Sequence, residues 1–387
     1  MSLGRRDKQA EFEKQMIFDP DYSVKRRKEV GIKVITIVMA ILCAFMLGAI
    51  VTWTVIRVVG KNNLKAKAEV SHPTIETPET MAAPQEEKEQ WKEGWIKYNG
   101  KIYSYNEKLM TFLFMGIDKN TKVKEVSEGT DGGQADALFL AVLNPEDQTI
   151  KIVGINRNTM CDIDIYNEDG DYVTTTTAQI AVQHGFGNGV EESCEYQIKA
   201  VRKLFYDLPI HGYAAINMKA IPIINDAVGG VDLVSMSDIT DDSNHNKLII
   251  REGESVHLMG NDAYWYVRDR DEEILGSADI RLARQKQYLN AFVNQAKTAA
   301  KKDLGVVSNL YNDVSPYMTT DISFDELLYL VPEMVNYSFD LNSLYLLQGE
   351  TVMGEEFEEF YPDEDRLYEM IIDVFYNEVK NSNGDEN

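Results

Sequence analysis

Between Lys33 and Arg57 the chain runs for 23 residues, Val34 to Ile56, without a charge. A helix rises 1.5 Å per residue, so this run reaches about 34 Å, enough to cross a bilayer core with some tilt. Buried helices of soluble proteins seldom stay uncharged for so long. A secretory signal peptide fits less well, because the cleavable-looking Ala66-Lys67-Ala68 lies ten residues past the run and the tail before it is long. The reading is an uncleaved transmembrane helix over residues 34–58. Lys25, Arg26, Arg27, Lys28 and Lys33 crowd its N-terminal side, whereas Arg57, Lys61, Lys65 and Lys67 are spread along the other. The positive-inside rule then makes residues 1–33 a cytoplasmic tail of a single-pass cell-membrane protein. Everything after about residue 58 is expected to be extracytoplasmic, where ATP is not available.

The outer part is acidic. The whole chain has 39 Lys and Arg against 63 Asp and Glu, a net charge of −24, which excludes a general nucleic-acid binder. Hydrophobic residues make up 44%, enough for a packed core. Three cysteines are too few for a disulfide scaffold, and the five histidines form no HExxH or HxH pattern. Residues 350–387 hold 13 acids and two bases, which reads as a solvated helix face and a frayed tail.

Residues 59–107 divide into a charged, proline-bearing mobile stalk over 60–92 and a short hairpin turning on Asn99-Gly100. A folded domain is expected over 108–387. LMTFLFMGI, ALFLAVL and TIKIVGIN read as its first strands, the second and third joined by a tight turn at Asn144 to Asp147. Helical patterns follow near 190–207, 217–228, 260–270, 280–301, 324–337 and 364–380, with strands at 231–236 and 343–348. This order predicts an α/β domain with a mixed central sheet flanked by helices.

Asp118 ends the first strand and Asp136 opens the second. If the three strands form an antiparallel meander, both acids and Arg157, after the third strand, meet at one sheet edge. Two carboxylates beside phosphate oxygens suit magnesium; the plainer alternative is that both acids cap turns. Arginine is scarce after residue 57, yet Arg268, Arg270, Arg281 and Arg284 fall within 17 residues. Arg281, Arg284, Gln285 and Tyr288 are spaced to share one helical face. Guanidinium forks bind phosphate; surface pairing with Asp269, Asp271, Glu272, Glu273 and Asp279 is the competing explanation. The glycine-rich TTTTAQIAVQHGFGNG lacks P-loop or Rossmann spacing and reads as a loop bordering the pocket, with His184 a structural hydrogen-bonder. No GxSxG elbow occurs. Cys161 and Cys194, both outside the membrane, are candidates for a disulfide closing a loop of about 33 residues, the alternative being two separate buried thiols.

Taken in order, FLFMGID, QADALFLAVLNP, IVGINRNT, INDAVGGVDL, HLMGNDAYWYVRDRD and RLARQ, behind an anchor and stalk, resemble the LytR-CpsA-Psr family of bacterial envelope proteins. The resemblance covers a motif core of about residues 108–300, with 301–380 as C-terminal elements of the same domain. It implies a phosphotransferase that attaches a glycopolymer, such as teichoic acid or capsule, from a polyprenyl-pyrophosphate carrier to peptidoglycan. It implies that Asp118 and Asp136 hold Mg2+ and that Arg157, Arg268, Arg270, Arg281 and Gln285 hold the pyrophosphate, with Arg284 supporting them. Asp118, Asp136 and Arg157 would be the catalytic residues, Asp118 or Asp136 taking the acceptor's proton. The carrier's apolar tail would enter between sheet and helices near Val201, Leu204, Phe205, Ile216, Ile221 and Ile224, which can equally be ordinary core.

This chain departs from the resemblance at Asn156 and Asn158, where Pro and Asp are usual, at Gln179 and Ala181, where Lys and Asn are common, and at Ala278, where Asp279 stands one residue on from a usual acid. Those departures admit two other readings, a catalytically weak polyprenyl-phosphate binder or a lipid pyrophosphatase.

Overall fold

The computed structural model describes residues 39, 45–47, 49–68, 70–126, 132–167, 169–241, 243, 247–271, 274–303 and 305–379. The chain divides into two units, Met1–Val59 and Gly60–Asn387. In the first, residues 49–59 are helical. Much of the predicted membrane run lies outside the described residues; among those described, no helix is long and apolar enough to cross a membrane.

The second unit is built on a six-stranded mixed sheet. Its strands are β1 (Met110–Ile117), β2 (Ala135–Asn144), β3 (Thr149–Ile155), β4 (Gly212–Asn217), β5 (Met318–Thr320) and β6 (Leu344–Leu346), in the order β5-β4-β1-β2-β3-β6. The first three form the expected antiparallel meander, with Met110 opposite Leu143 and Leu138 opposite Ile155. β4 joins parallel to β1 and β6 parallel to β3. β4 was not anticipated: its six residues precede a helix, Ala220–Ala227, and the helical reading began at 217. A parallel pairing is recognised only by the neighbouring strand, not by a local turn.

Successive side chains of a strand point to opposite faces, and here both faces are covered. Leu113, Met115, Leu138, Leu140, Val142, Val153 and Ile155 pack in one core with Cys194, Val201, Leu367 and Ile371, from the helices Glu191–Leu204 and Glu364–Phe375. Met110, Phe112, Leu143, Ile150 and Ile152 pack in a second core with Leu330, from the helix Phe324–Met334, and with Leu289 and Val293, from the helix Ser277–Lys302. The two-sided burial explains why β1 and β2 read as unbroken apolar runs.

Two expectations are corrected. The segment read as a mobile stalk is packed against the sheet domain: Leu64 and Ile75 are buried in its two cores, Thr74 N donates to Tyr206 O at 2.7 Å, and Lys67 Nζ meets Glu326 Oε2 at 2.6 Å. Single apolar residues spaced along a polar stretch suffice for this, and they leave no periodicity to read. The hairpin after it, Trp95–Tyr98 with Lys101–Tyr105, turns on Asn99-Gly100 as expected. Second, Cys161 and Cys194 are free thiols. Cys194 Sγ is turned to the buried His184, 3.9 Å from Nε2, on the inner face of its helix.

Candidate active site

The ends of β1 and β3 and the start of β2 meet at one edge of the sheet. There the register of β1 and β2 slips: Gly116 faces Ala137 but Ile117 faces Ala135, so Asp136 is the extra residue of a bulge. A bulge re-aims a side chain that regular pairing would have directed along the pleat. Asp136 Oδ1 meets Arg157 Nη1 at 2.5 Å, and its Oδ2 lies 3.7 Å from Arg281 Nη1. All three side chains are largely buried, at 12%, 17% and 8% exposure.

Asp118 follows β1. Its Oδ1 accepts the Gln134 N–H at 2.7 Å, and Gln134 Oε1 in turn accepts from Arg157 Nη2. Although solvent reaches Asp118, desolvation raises its proton affinity, the Gln134 N–H pulls it back, and the negative charge of Asp136 raises it further. The close fit depends on Gly133, at φ +84°, where a Cβ would lie 2.8 Å from Asp118 Oδ1. His184 fixes that glycine: Nδ1 lies 2.9 Å from Gly133 O, and burial pushes the imidazole down to about 4. His184 is thus the structural hydrogen-bonder the sequence suggested, and the polar segment before it is a strand, Tyr172–Gln179, paired with Met160–Tyr166.

The arginines fall into different roles. Arg281 is buried and held down to about 10, mainly by desolvation; Asp136 opposes this, while the positive charges of Arg157, Arg270 and Arg284 add to it. Arg157 and Arg281 therefore share one carboxylate, Asp136, and Arg270 and Arg284 are near enough to add positive charge at Arg281. Arg284, three residues on, spends all three nitrogens on the protein: Nε donates to Tyr266 O, Nη1 to Ser237 Oγ at 3.0 Å, and Nη2 to Asp269 O. It fastens the segment carrying Arg268 and Arg270, which Gln285 also holds through Val267 O at 3.0 Å. Arg268 stacks over Tyr264 and Trp265 at 5.7 and 5.5 Å, and Tyr264 Oη reaches Asn120 Oδ1 beyond Asp118.

Sequence reading missed Gln134 and Gly133, although both adjoin the QAD motif. It also missed what surrounds the departures: Asn156 Nδ2 donates to Asp279 Oδ1 at 2.5 Å, and Gln179 Nε2 to Asn158 Oδ1 at 3.2 Å. Among the described residues no cluster of three or more His, Cys, Asp or Glu could hold a metal alone. Asp118 and Asp136 are a pair, however, and magnesium at phosphate sites takes one or two carboxylates with phosphate oxygens and water. The donor set fits.

A TagU of Bacillus cereus, a polyisoprenyl-teichoic acid–peptidoglycan teichoic acid transferase, is 29% identical over 218 residues, 56% of this chain and 63% of that one. A TagV of Bacillus subtilis is 26% identical over 234 residues, 59% of this chain and 54% of that one. The match thus spans less than two thirds of these relatives. The crystal structure of B. subtilis TagV aligns with a TM-score of 0.54 at 22% identity, covering 70% of this chain and 96% of that one, a shared fold. The family model for LytR_cpsA_psr matches residues 71–370, and the chain belongs to that family.

Proposed function

We propose that the chain is a membrane-anchored phosphotransferase that moves a glycopolymer from a polyprenyl-pyrophosphate carrier to peptidoglycan. The observation that carries this reading is the pairing of Arg157 and Arg281 on Asp136, at the sheet edge that also holds Asp118. The relatives TagU and TagV carry the names of transferases of this kind, and TagT, of the same fold, has been solved bound to LIIa-WTA. The uncharged run at 34–56 supports an anchor with the domain outside the cell.

Phosphoryl transfer asks mainly for positioning and charge neutralisation. Arg157 and Arg281 would grip the pyrophosphate, Arg270 and Arg268 closing around it, while Arg284 and Gln285 hold their segment in place. Mg2+, held by Asp118 and Asp136, would neutralise phosphate oxygens. The acceptor hydroxyl oxygen attacks the sugar-side phosphorus, the bridging P–O bond breaks, and polyprenyl monophosphate leaves. Asp118 or Asp136 would take the hydroxyl proton. Val201 and Phe205, suggested for the lipid tail, are closed in the packed core, whereas Ile216, Ile221 and Ile224 are half-buried.

The test is incubation of the full chain with a lipid-pyrophosphate-linked sugar, magnesium and peptidoglycan oligomers, followed by mass spectrometry. A phosphodiester-linked product is expected. Release of phosphorylated sugar without linkage would make the protein a pyrophosphatase, and binding without turnover would make it a lipid-phosphate binder.

A further inference from the structure

We infer that Glu358 is a positioning residue that sets the spacing between Arg157 and Arg281, with Asn158 as its partner; the inference rests on the pyrophosphate reading above. Glu358 begins the second strand of a C-terminal hairpin, Gly349–Met353 paired with Glu358–Pro362. Both of its carboxylate oxygens are engaged. Oε1 accepts the N–H of Gly276, the residue before the helix Ser277–Lys302, at 2.8 Å. Oε2 accepts from Asn158 Nδ2 at 3.1 Å. The Glu358 carbonyl accepts from Gln179 Nε2 at 2.7 Å.

The rest of the hairpin repeats the connection. Phe360 N donates to Asn158 O at 2.9 Å, and Phe360 is itself buried in the core, so the strand has a fixed seat. On the other strand, Thr351 Oγ1 donates to Asp279 Oδ2 at 2.8 Å, and Asp279 Oδ1 takes the Asn156 amide. One hairpin therefore touches both sides of the arginine pair. It holds Asn158 directly and Asn156 through Asp279, the two residues that flank Arg157, and it holds the first turn of the helix that carries Arg281. Neither contact involves an arginine, so the hairpin acts on the guanidiniums only through the backbones that bear them.

The chemistry of position 158 follows. Asn158 is 3% exposed. Its amide gives Glu358 a donor; a carboxylate in its place would set two acceptors of like charge against each other at about the same separation, with no proton between them. The partners are exchangeable in principle. Asn158→Asp together with Glu358→Gln restores one donor and one acceptor, and it leaves acceptors for the Gly276 N–H and for Gln179.

The test measures binding of inorganic pyrophosphate by calorimetry, on the full chain in detergent, for wild type, N158D, E358Q and N158D/E358Q. Exchange of the Gly276 amide is followed in parallel. N158D should bind about tenfold more weakly or worse, and the double variant should return to within about threefold of wild type. N158D binding like wild type, or a double variant no better than N158D, would overturn the clamp. Wild type that binds no pyrophosphate would count against the phosphate reading itself. The clamp is then decided by the Gly276 amide, which must exchange faster in N158D and recover in the double variant; an unchanged rate refutes it.

Discussion

Arg157 Nη1 stands 2.5 Å from Asp136 Oδ1. The same carboxylate faces Arg281, so one acid separates two buried guanidiniums. Removing one partner of a buried pair costs about 3–5 kcal/mol, and the slight exposure here favours the lower end. Asp136→Asn should therefore lower the melting temperature, and an anion that replaces the lost charge should recover part of it. Calorimetric scans with and without inorganic pyrophosphate check this. An unchanged melting temperature would mean that Asp136 does not hold the arginines together.

Arg281→Ala should remove most transfer activity in a protein that still folds. A lost charge-assisted phosphate contact costs about 1.5–3 kcal/mol, a ten- to hundredfold loss in kcat/KM. Arg281→Lys should recover little, since an ammonium cannot reproduce the fork. Wild-type turnover in either variant would take Arg281 out of the site.

Arg284 behaves differently although it shares the helix face with Arg281. Its donors hold Tyr266, Ser237 and Asp269, so Arg284→Ala leaves buried acceptors unpaired. Stability should fall by about 2–4 kcal/mol in urea unfolding. A variant that is as stable as wild type yet inactive would instead make Arg284 a direct phosphate ligand.

The two buried histidines make stability depend on pH. Burial pushes His184 and His211 down to about 4 each, and the His211 Nδ1 accepts the Thr111 N–H as a neutral ring does. The unfolded chain takes up these protons near pH 6.5, whereas the folded chain resists until about 4. Their contribution is thus complete above 6.5 and is lost as pH falls toward 4, on the order of 3 kcal/mol per ring. Imidazole resonances of the folded protein should stay in the neutral position at about pH 5.5; a midpoint near 6.5 for both would contradict their burial.

In a chain with Cys43 replaced by serine, thiol counting on denatured, unreduced protein should find both Cys161 and Cys194. Burial pushes the Cys161 thiol up to about 12 and raises Cys194 as well, so alkylation of the folded protein should be slow. Finding no thiols would restore the disulfide.

What the sequence determined by itself is local. The apolar runs of β1 to β3 and the tight turn after Asn144 are short-range signals, and a meander of three strands brings Asp118, Asp136 and Arg157 to one edge by geometry alone. The spacing of Arg281, Arg284 and Gln285 likewise placed them on one helix face. The tertiary structure decided what each does there. Arg281 and Arg284 are indistinguishable by spacing; they part because Tyr266 and Asp269 carbonyls face one and the Asp136 carboxylate faces the other. The bulge that frees Asp136, the parallel strand β4, the docking of Leu64 and Ile75, and the reach of Glu358 to Asn158 all depend on partners distant in the chain. Contacts of that kind leave no period in the sequence, because only the packed sheet brings the two ends together.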